Sequence, residues 1–575
     1  MAWTNEDVAR QFSEITTLLK LSGADQFRVR AYERAAGAIG AAPVDLSSIS
    51  EAEMAALKGI GASTAKKIAE YLSTGKMAML DELRAKVPPG LVELIRVPGL
   101  GPKTAKMLHD QLGVDSVEAL REAIATERLR GLPGLGAKTE ANLREAIARI
   151  GAKDTERRPM ADAIAIAEEL CRRLGAVAGV VEVTYAGSLR RMRETIGDID
   201  ILVASDDPAP VHAALRDSDL VTDVLAAGEK KTSVLTKRGI QADLRVVEPD
   251  AYGAALVYFT GSKAHNVRIR ERAVRKGLLL SEYGLFDRKS EERLASRTEA
   301  DVYEALDLPF IAPPLREDCG EVEAAAAGDL PPVVSVEDLR GDLHGHSDWS
   351  GDGKATLEDM IATAAARGYE YWAVTDHAEG LPMNGLSRER MRERRAAIEM
   401  LQERYDMRIL AGAELNIDVH GGVDYDEEFL AGFDFNVASV HTLMTRPGAE
   451  QTKRIITAME NPHVHAIGHL TGRKIGVRPP YDIDLDAILE AAVRTGTALE
   501  VNASPRRLDL SGDMVRRAVE AGVTLTISCD AHSVGDLASM RYGVATAQRG
   551  WASAQDVLNC RPLDSLLDFV AAKRS

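Results

Sequence analysis

Residues 187–203 read GSLRRMRETIGDIDILV, a stretch in which two aspartates stand just inside an apolar strand. Side chains alternate between the two faces of an extended strand, so Asp198 and Asp200 point the same way while Ile199 and Ile201 point into a core. Two carboxylates on one face repel each other, and a divalent metal ion between them relieves that repulsion. The stretch therefore predicts a buried strand that carries a metal site.

A third aspartate extends this site. Asp243 lies in a second strand-like segment, IQADLRVV, 43 residues after Asp200. Three carboxylates on adjacent strands can hold two metal ions, one activating an attacking hydroxyl and the other stabilising a leaving phosphate. Gly187 and Ser188 precede a short helix whose free N–H groups suit an anion. For the aspartate pair alone, an acidic strand face that serves only solubility is the alternative interpretation.

The stretch, Asp243 and the later YFTGS (258–262) together resemble the palm of family X DNA polymerases, the relatives of DNA polymerase beta. The resemblance implies that Asp198, Asp200 and Asp243 ligate two Mg²⁺ or Mn²⁺ ions, and that Asp243 takes the proton from the primer 3′-hydroxyl. The implied nucleotide-binding residues are Gly187, Ser188, Arg191, Gly197, Tyr258, Phe259, Gly261, Lys263, Asn266 and Arg270. Lys263 stands where animal relatives often carry an acid, so we expect it to alter nucleotide affinity or base-pair stringency.

A short pattern recurs three times in the first part of the chain, as LKGIGASTAKKI (57–68), VPGLGPKTAKML (97–108) and LPGLGAKTEANL (132–143). Each copy places glycines at a turn before a short amphipathic helix, whose first N–H groups can contact a phosphate. A plain helical hairpin would explain one copy, but three copies resemble helix-hairpin-helix motifs, which bind the DNA backbone regardless of sequence. The implied DNA contacts are Gly59, Gly61, Gly99, Gly101, Lys103, Gly134, Gly136 and Lys138.

The segments 25–39 and 57–76 also resemble the small N-terminal domain of family X polymerases. In some members this domain removes 5′-deoxyribose phosphate through a Schiff-base lysine, and Lys67 falls at that position, with Lys76 and Tyr32 in supporting positions. A lysine nucleophile needs a lowered pKa, which a cluster of basic neighbours can provide. Ser63 departs from a position that is often basic. Two roles therefore stay open for Lys67, lyase nucleophile and phosphate contact.

Nine of the twelve histidines lie between residues 344 and 532, most of them at the ends of short strand-like segments. A single strand-end histidine is often structural, but a series of them with acids indicates metal ligation. The series resembles a PHP (polymerase and histidinol phosphatase) domain, a distorted (β/α) barrel that binds up to three ions, here Mn²⁺ or Zn²⁺, and cleaves phosphoesters. The implied ligands are His344, His346, Asp352, His377, Glu414, His441, His469, Asp530 and His532. Asp352 lies in SGDG (350–353), one residue longer than the usual motif.

The 575 residues are too many for one compact domain. We expect a multidomain chain with an α-helical N-terminal region, an α/β nucleotidyltransferase palm with a small thumb, and a C-terminal barrel. The expected boundaries are a lyase-like helical domain at 1–85, helix-hairpin-helix fingers at 86–155, the palm at 156–250, the thumb at 251–315, a linker at 316–337 and the PHP domain at 338–575.

Charge is distributed unevenly along the chain. Residues 1–315 contain 44 Lys and Arg against 46 Asp and Glu, whereas residues 316–575 contain 27 against 42. The first part can therefore present basic patches to DNA despite a net charge of −17. The sequence shows no apolar run of membrane-spanning length and no signal peptide, and its four cysteines form no CxxC pair. These features predict a cytoplasmic protein without a membrane partner.

The order of the segments resembles bacterial family X DNA polymerases. It implies a monomeric repair enzyme that fills short gaps with dNTPs on primer-template DNA, uses no organic cofactor, and carries a 3′–5′ exonuclease in its PHP domain. Two alternatives stay open: a nucleotidyltransferase that uses no template, and a PHP domain that only supports the fold or docks partners. YFTGS and the three repeats argue against the first alternative, and the near-complete ligand set argues against the second.

Overall fold

The computed structural model describes residues 5–40, 46–57, 59–95, 97, 100–126, 128–132, 135–136, 140, 143–144, 157–381 and 383–574. The chain forms two compact units, Met1–Glu156 and Arg157–Ser575. Within the described ranges, the helices are too short or too polar to cross a bilayer.

The first unit is helical in its described ranges, as the repeats predict. Its α-helices are Asn5–Ser22, Gln26–Gly40, Glu51–Ala56, Ala62–Thr74, Ala78–Lys86, Pro89–Leu94, Pro102–Leu112 and Val117–Ala125, with 3₁₀ turns at Leu46–Ser48 and Arg128–Gly131. The second glycine of each repeat accepts a hydrogen bond from the residue four positions later. The N···O distances are 2.9 Å at Gly61, 2.9 Å at Gly101 and 3.0 Å at Gly136. The three repeats therefore share this backbone hydrogen bond.

The second unit begins with the palm sheet. Its strands are β1 (Arg158–Pro159), β2 (Val180–Tyr185), β3 (Thr195–Ile196), β4 (Asp198–Ser205), β5 (Val221–Ala227), β6 (Lys231–Thr236) and β7 (Gln241–Val247). Five of them form a sheet in the order β2-β4-β7-β6-β5, in which only β4 and β7 run parallel, while β1 pairs with β3. The helices of this region are Met160–Gly175, Gly187–Arg190 and Pro208–Arg216. Along β4, Ile199 and Ile201 are buried while Asp198 is exposed, which confirms the predicted alternation.

The thumb follows the palm. It contains helices Tyr252–Thr260, Lys263–Arg275 and Glu299–Ala305, and a three-stranded antiparallel sheet of β8 (Leu278–Ser281), β9 (Gly284–Asp287) and β10 (Arg293–Ala295). One apolar cluster joins these elements and includes Ile269 and Tyr303. Short 3₁₀ turns occur at Pro249–Ala251 and Pro313–Leu315.

The predicted linker at 316–337 is wrong for its first half. The segment forms a helix, Glu321–Ala327, and Val322 packs in the apolar cluster of the thumb. Arg316 and Glu321 are fully buried, and each has a charged or ionisable partner, since Arg316 pairs with Glu299 and Glu321 pairs with His265. The proline-rich composition therefore conceals a packed extension of the thumb.

The C-terminal part is a parallel barrel, as predicted for a PHP domain. Its strands are β11 (Gly341–Asp342), β12 (Tyr371–Val374), β13 (Arg408–Asn416), β14 (Phe435–Ser439), β15 (Ala466–Ile467), β16 (Ala498–Asn502) and β17 (Leu525–Ser528), paired in chain order and all parallel. A parallel bridge between Gly345 and Ala531 joins the chain after β11 to the chain after β17 and closes the ring.

Helices surround the barrel strands. They are Leu357–Ala366, Arg388–Gln402, Glu427–Leu430, Gly448–Met459, Leu485–Thr495, Gly512–Glu520, Met540–Arg549 and Leu563–Arg574, with 3₁₀ turns at Val336–Asp338, Asp536–Ser539, Ala554–Asp556 and Leu558–Cys560. Because all strands run in one direction, the residues that follow them meet at a single rim. Most of the predicted histidine and acid ligands lie at that rim.

Candidate active sites

The palm brings its three predicted aspartates together on two neighbouring strands. Asp200 of β4 lies directly opposite Asp243 of β7 in the parallel register, and Asp198 precedes Asp200 on the same face. Asp243 is only 5% exposed, whereas Asp198 lies at the exposed end of its strand. The geometry therefore concentrates three carboxylates near the N-terminal ends of two adjacent parallel strands inside the sheet.

Two aspartates of this group differ in their pKa values. Burial, followed by the neighbouring charges of Asp198 and Asp243, raises the pKa of Asp200 to about 7. Burial acts on Asp243 in the same direction, but hydrogen bonds from Lys231 Nζ (2.7 Å) and Gln241 Nε2 (2.9 Å) hold the pKa of Asp243 below its ordinary value. The three carboxylates therefore suit divalent cations, which would offset the remaining repulsion.

Gly187 fits this site for a steric reason. Its φ is +62°, and a Cβ atom added there would lie 2.2 Å from Asp200 Oδ2. Ser188 follows in the short helix Gly187–Arg190. A Cβ added at Gly197 would meet only the Arg157 guanidinium, at 3.7 Å. Packing within the chain therefore requires glycine at 187 but leaves space at 197.

The remaining predicted nucleotide-binding residues lie where two thumb helices meet. The Tyr258 and Phe259 rings make an edge contact with centroids 5.0 Å apart, and the Arg270 guanidinium lies 5.0 Å from the Tyr258 ring centroid. Asn266 Nδ2 donates to the Tyr258 carbonyl over 2.7 Å. Lys263 is exposed at the start of its helix, immediately after Gly261 and Ser262.

Arg191 reaches the same helix junction from the palm side. Its Nη1 donates to the Thr260 carbonyl, and its Nε donates to Glu317 Oε1 over 3.0 Å. Glu317 belongs to the segment predicted to be a linker, so the sequence alone did not point to this contact.

In the first unit, Lys67 Nζ donates to the Ser63 hydroxyl (2.9 Å) and to the Ser63 carbonyl (3.1 Å). It also lies 6.0 Å from the centroid of the Tyr32 ring, so two of the predicted lyase-site residues are close together. Lys76 is exposed just after helix Ala62–Thr74. Gly59, Gly61, Gly101 and Gly136 lie in the described turns, whereas Gly99, Gly134, Lys138 and the Lys103 side chain lie outside the described residues.

Glu414 is the centre of the barrel site and is fully buried. Its Oε2 atom lies 2.8 Å from His377 Nδ1, and its Oε1 atom lies 3.1 Å from the Nε2 atoms of both His441 and His469. The other ring nitrogen of His377, Nε2, lies 3.2 Å from Asp352 Oδ2. The longer SGDG loop therefore still brings Asp352 to the histidines.

The first two histidines complete the constellation. The Nε2 atoms of His344 and His346 both lie 3.5 Å from Glu414 Oε2, and His346 Nε2 is 3.2 Å from Asp530 Oδ1. The ring of His532 stacks on that of His346, with centroids 4.2 Å apart. All nine predicted side chains thus converge at the barrel rim.

The chemistry of these donors fits divalent metal ions. Ligand atoms lie within 4.8 Å of one another in three groups, which are His346, His377 and His532; His344, His346, Glu414 and Asp530; and His377, Glu414 and His441. Two buried ring nitrogens of these ligands, His346 Nδ1 and His469 Nδ1, lack a hydrogen-bond partner among the described residues. Burial and the neighbouring His532 and His377 lower the pKa of His346 to about 3, which keeps its imidazole neutral, the form that binds a metal.

Sequence reasoning missed the residues that support these ligands. Glu500 Oε1 lies 2.7 Å from His344 Nδ1, and Glu500 Oε2 accepts from the backbone N–H of His469. Asn416 Oδ1 lies 2.7 Å from His441 Nδ1. Such partners fix the orientation of a ligating imidazole. Glu500 lies in the strand-like segment TALEVNAS, so the strand-end rule that found the ligands could also have found it.

Four family models match the chain. They are the helix-hairpin-helix domain over residues 3–77, the SAM-like helix-hairpin-helix tandem over 91–149, the DNA polymerase beta thumb over 255–317 and the PHP domain over 342–504.

Relatives cover both parts of the chain. The chain is 38% identical over 569 residues to the DNA polymerase/3′-5′ exonuclease PolX of Bacillus subtilis (strain 168), covering 98% of this chain and 99% of that protein. It is 30% identical over 322 residues to DNA polymerase lambda of Rattus norvegicus, covering 51% of this chain and 53% of that protein. A protein of Acetivibrio thermocellus named "Probable phosphatase" is 35% identical over 165 residues, which are 28% of this chain and 64% of that protein.

Proposed function

The chain belongs to the PolX family of DNA polymerases with a C-terminal PHP domain, and we propose that it fills short gaps during DNA repair and trims DNA 3′ ends. It is a DNA-binding enzyme that depends on divalent metal ions. The observation that carries the proposal is the presence of two ligand constellations in one chain, three aspartates in the palm and nine histidine and acid side chains in the barrel.

In the palm, Asp198, Asp200 and Asp243 would hold two ions, Mg²⁺ or Mn²⁺. When bound, such ions supply Lewis-acid activation of the primer 3′-hydroxyl and stabilise charge on the triphosphate. Lys231 and Gln241 keep Asp243 ionised at neutral pH, so its carboxylate can accept the proton of that hydroxyl.

The residues around the helix junction would bind the incoming dNTP. Ser188 and Arg191 would bind the triphosphate, and the open space at Gly197 would let it approach the strand. Tyr258, Phe259 and Gly261 would line the sugar pocket. Asn266 and Arg270, which contact Tyr258, would reach the new base pair, and Lys263 would lie beside it.

In the barrel, His344, His346, Asp352, His377, Glu414, His441, His469, Asp530 and His532 would hold up to three ions, Mn²⁺ or Zn²⁺. These ions, when bound, supply an activated water and charge stabilisation for cleavage of a phosphodiester. Glu500 and Asn416 would hold two of the imidazoles in ligating orientation. The barrel would act on DNA 3′ ends and the protein would work as a cytoplasmic monomer.

Template dependence separates this function from that of an untemplated nucleotidyltransferase. On duplexes with a one-nucleotide gap, each of the four template bases is paired with each of the four dNTPs. We expect incorporation to follow the template base, because the predicted base-pair contacts act only on a paired nucleotide. Incorporation that ignores the template base would contradict the proposal.

Trapping with borohydride on DNA that carries a 5′-deoxyribose phosphate distinguishes the two possible roles of Lys67, lyase nucleophile and phosphate contact. A Schiff-base nucleophile gives a covalent adduct that is lost in Lys67→Ala and kept in Lys66→Ala, since Lys66 is an exposed neighbour on the same helix. A phosphate contact gives no adduct, and Lys67→Ala then weakens DNA binding only.

A further inference from the structure

Arg549 connects the PHP barrel with the nucleotide-binding part of the palm. It is the last residue of helix Met540–Arg549. Its Nη1 donates to the backbone carbonyl of Arg191 over 3.1 Å and to Glu317 Oε1 over 3.0 Å. A barrel side chain thus contacts both Arg191 and the carboxylate that holds Arg191.

Arg191 is fixed on two sides before any nucleotide binds. Its Nη1 donates to the Thr260 carbonyl, and its Nε donates to the same Glu317 oxygen that accepts from Arg549. The side chains of Arg191 and Arg549 are each 13% exposed and that of Glu317 is 17% exposed, so solvent screens these charges weakly.

Arg549 changes the net charge around the Arg191–Glu317 pair. A carboxylate paired only with Arg191 would cancel the positive charge that attracts a triphosphate. Arg549 shares that carboxylate, and Arg193 Nη1 lies 3.7 Å from its other oxygen, so the group keeps a net positive charge. An arginine that is already oriented also loses less conformational entropy when it binds phosphate.

We propose that Arg549 is a positioning residue for nucleotide binding in the palm. It holds Glu317, and Glu317 directs Arg191 toward the triphosphate of the incoming nucleotide. This inference rests on the proposed function, in which Arg191 binds the triphosphate. It gives the barrel a role in synthesis that does not involve the barrel's own metal ligands.

The test measures kcat and KM for the correct dNTP on a one-nucleotide gap, using the full chain. For Arg549→Ala we expect KM to rise about fivefold to tenfold, as for loss of one ordinary hydrogen bond, with kcat within about twofold of the original. Arg549→Lys should restore most of the loss because it keeps the charge. The 3′–5′ exonuclease rate of Arg549→Ala should equal that of the unmodified protein.

Arg541 provides a matched control. It lies on the same helix and also pairs with the palm, where its Nη1 is 2.6 Å from Glu168 Oε1, but it contacts neither Arg191 nor Glu317 among the described residues. Arg541→Ala should therefore leave KM unchanged. In a Glu317→Gln background, Arg549→Ala should raise KM less than in the original protein, because its main route to Arg191 is already lost.

Two results with the variants would overturn the positioning role of Arg549. If Arg549→Ala leaves KM unchanged, or if Arg541→Ala raises it equally, the positioning role is wrong and the helix only docks the barrel. If the unmodified protein neither binds nor incorporates dNTPs, the proposed function fails and the inference fails with it. Activity of the unmodified protein thus tells the two failures apart.

Discussion

Single side chains prepare both sites for cations. In the palm, the Lys231 ammonium offsets part of the charge of three carboxylates by its 2.7 Å contact with Asp243. In the barrel, Glu414 contacts imidazoles from several strands and carries a pKa well below its ordinary value, because the charges of His441, His344 and His377 outweigh its burial. Asp243 and Glu414 are therefore ionised at neutral pH, the form in which a carboxylate ligates a metal.

The close approach of Gly187 to Asp200 predicts that a larger residue at position 187 will slow synthesis. In Gly187→Ala the new methyl group would displace Asp200, and the residue would hold a left-handed backbone at a cost of about 1–3 kcal/mol. Because a catalytic group is misplaced, we expect gap filling to slow by about 100-fold or more, measured as single-nucleotide incorporation. Gly197→Ala should leave the thermal unfolding midpoint unchanged, because space is available there. A Gly187→Ala protein that synthesises at the original rate would refute this steric argument.

The strands that carry the two sites were recognisable in the sequence, whereas the helix Glu321–Ala327 was not. Alternation in DIDILV was enough to place Asp198 and Asp200 on one face, and strand-end positions were enough to assemble the barrel ligands. The linker prediction failed because the buried charges of Arg316 and Glu321 give no apolar period. Their partners, Glu299 and His265, are distant in the sequence, so only the fold shows that these charges are paired.

The helix that replaced the predicted linker gives a second prediction. Its Glu321 accepts from His265 Nδ1 (2.6 Å), and the Tyr303 hydroxyl lies 2.9 Å from His265 Nε2, which fits a neutral imidazole. Tyr303→Phe would leave the buried Nε2 without a donor, at a cost of about 1–3 kcal/mol. Hydrogen exchange in helices Lys263–Arg275 and Glu321–Ala327 should therefore become faster, while helix Met160–Gly175 serves as the internal control.

The same histidine predicts the pH dependence of this region. Burial lowers the pKa of His265 below its ordinary value of 6.5, although the hydrogen bond to Glu321 acts in the opposite direction. The unfolded thumb then binds a proton more readily than the folded thumb, so its stability is complete above pH 6.5 and declines as pH falls below that value. Exchange in helix Lys263–Arg275, corrected for intrinsic rates, should be faster at pH 5.5 than at pH 7.5. Equal protection at both pH values would contradict a neutral, buried His265.

At the scale of the whole molecule, we expect the repeats of the first unit to supply the sequence-independent binding to DNA. One phosphate contact at each of three repeats gives a salt slope of about 2.7, so affinity should fall about 40-fold between 50 and 200 mM salt. Fluorescence anisotropy with gapped duplexes of unrelated sequence measures this slope. An affinity that does not change with salt would exclude the DNA backbone as the main contact.

We conclude that one chain carries two metal-dependent active sites with opposite effects on a primer. The most direct measurement follows extension and shortening of a labelled primer in a duplex with a one-nucleotide gap, with Mg²⁺ or Mn²⁺. It compares the unmodified protein with Asp198→Ala/Asp200→Ala and with His344→Ala/His346→Ala. We expect the first pair to abolish only extension and the second pair to abolish only shortening. If loss of the two histidines also ended extension, the barrel would be a structural support for the polymerase and the two-site account would be wrong.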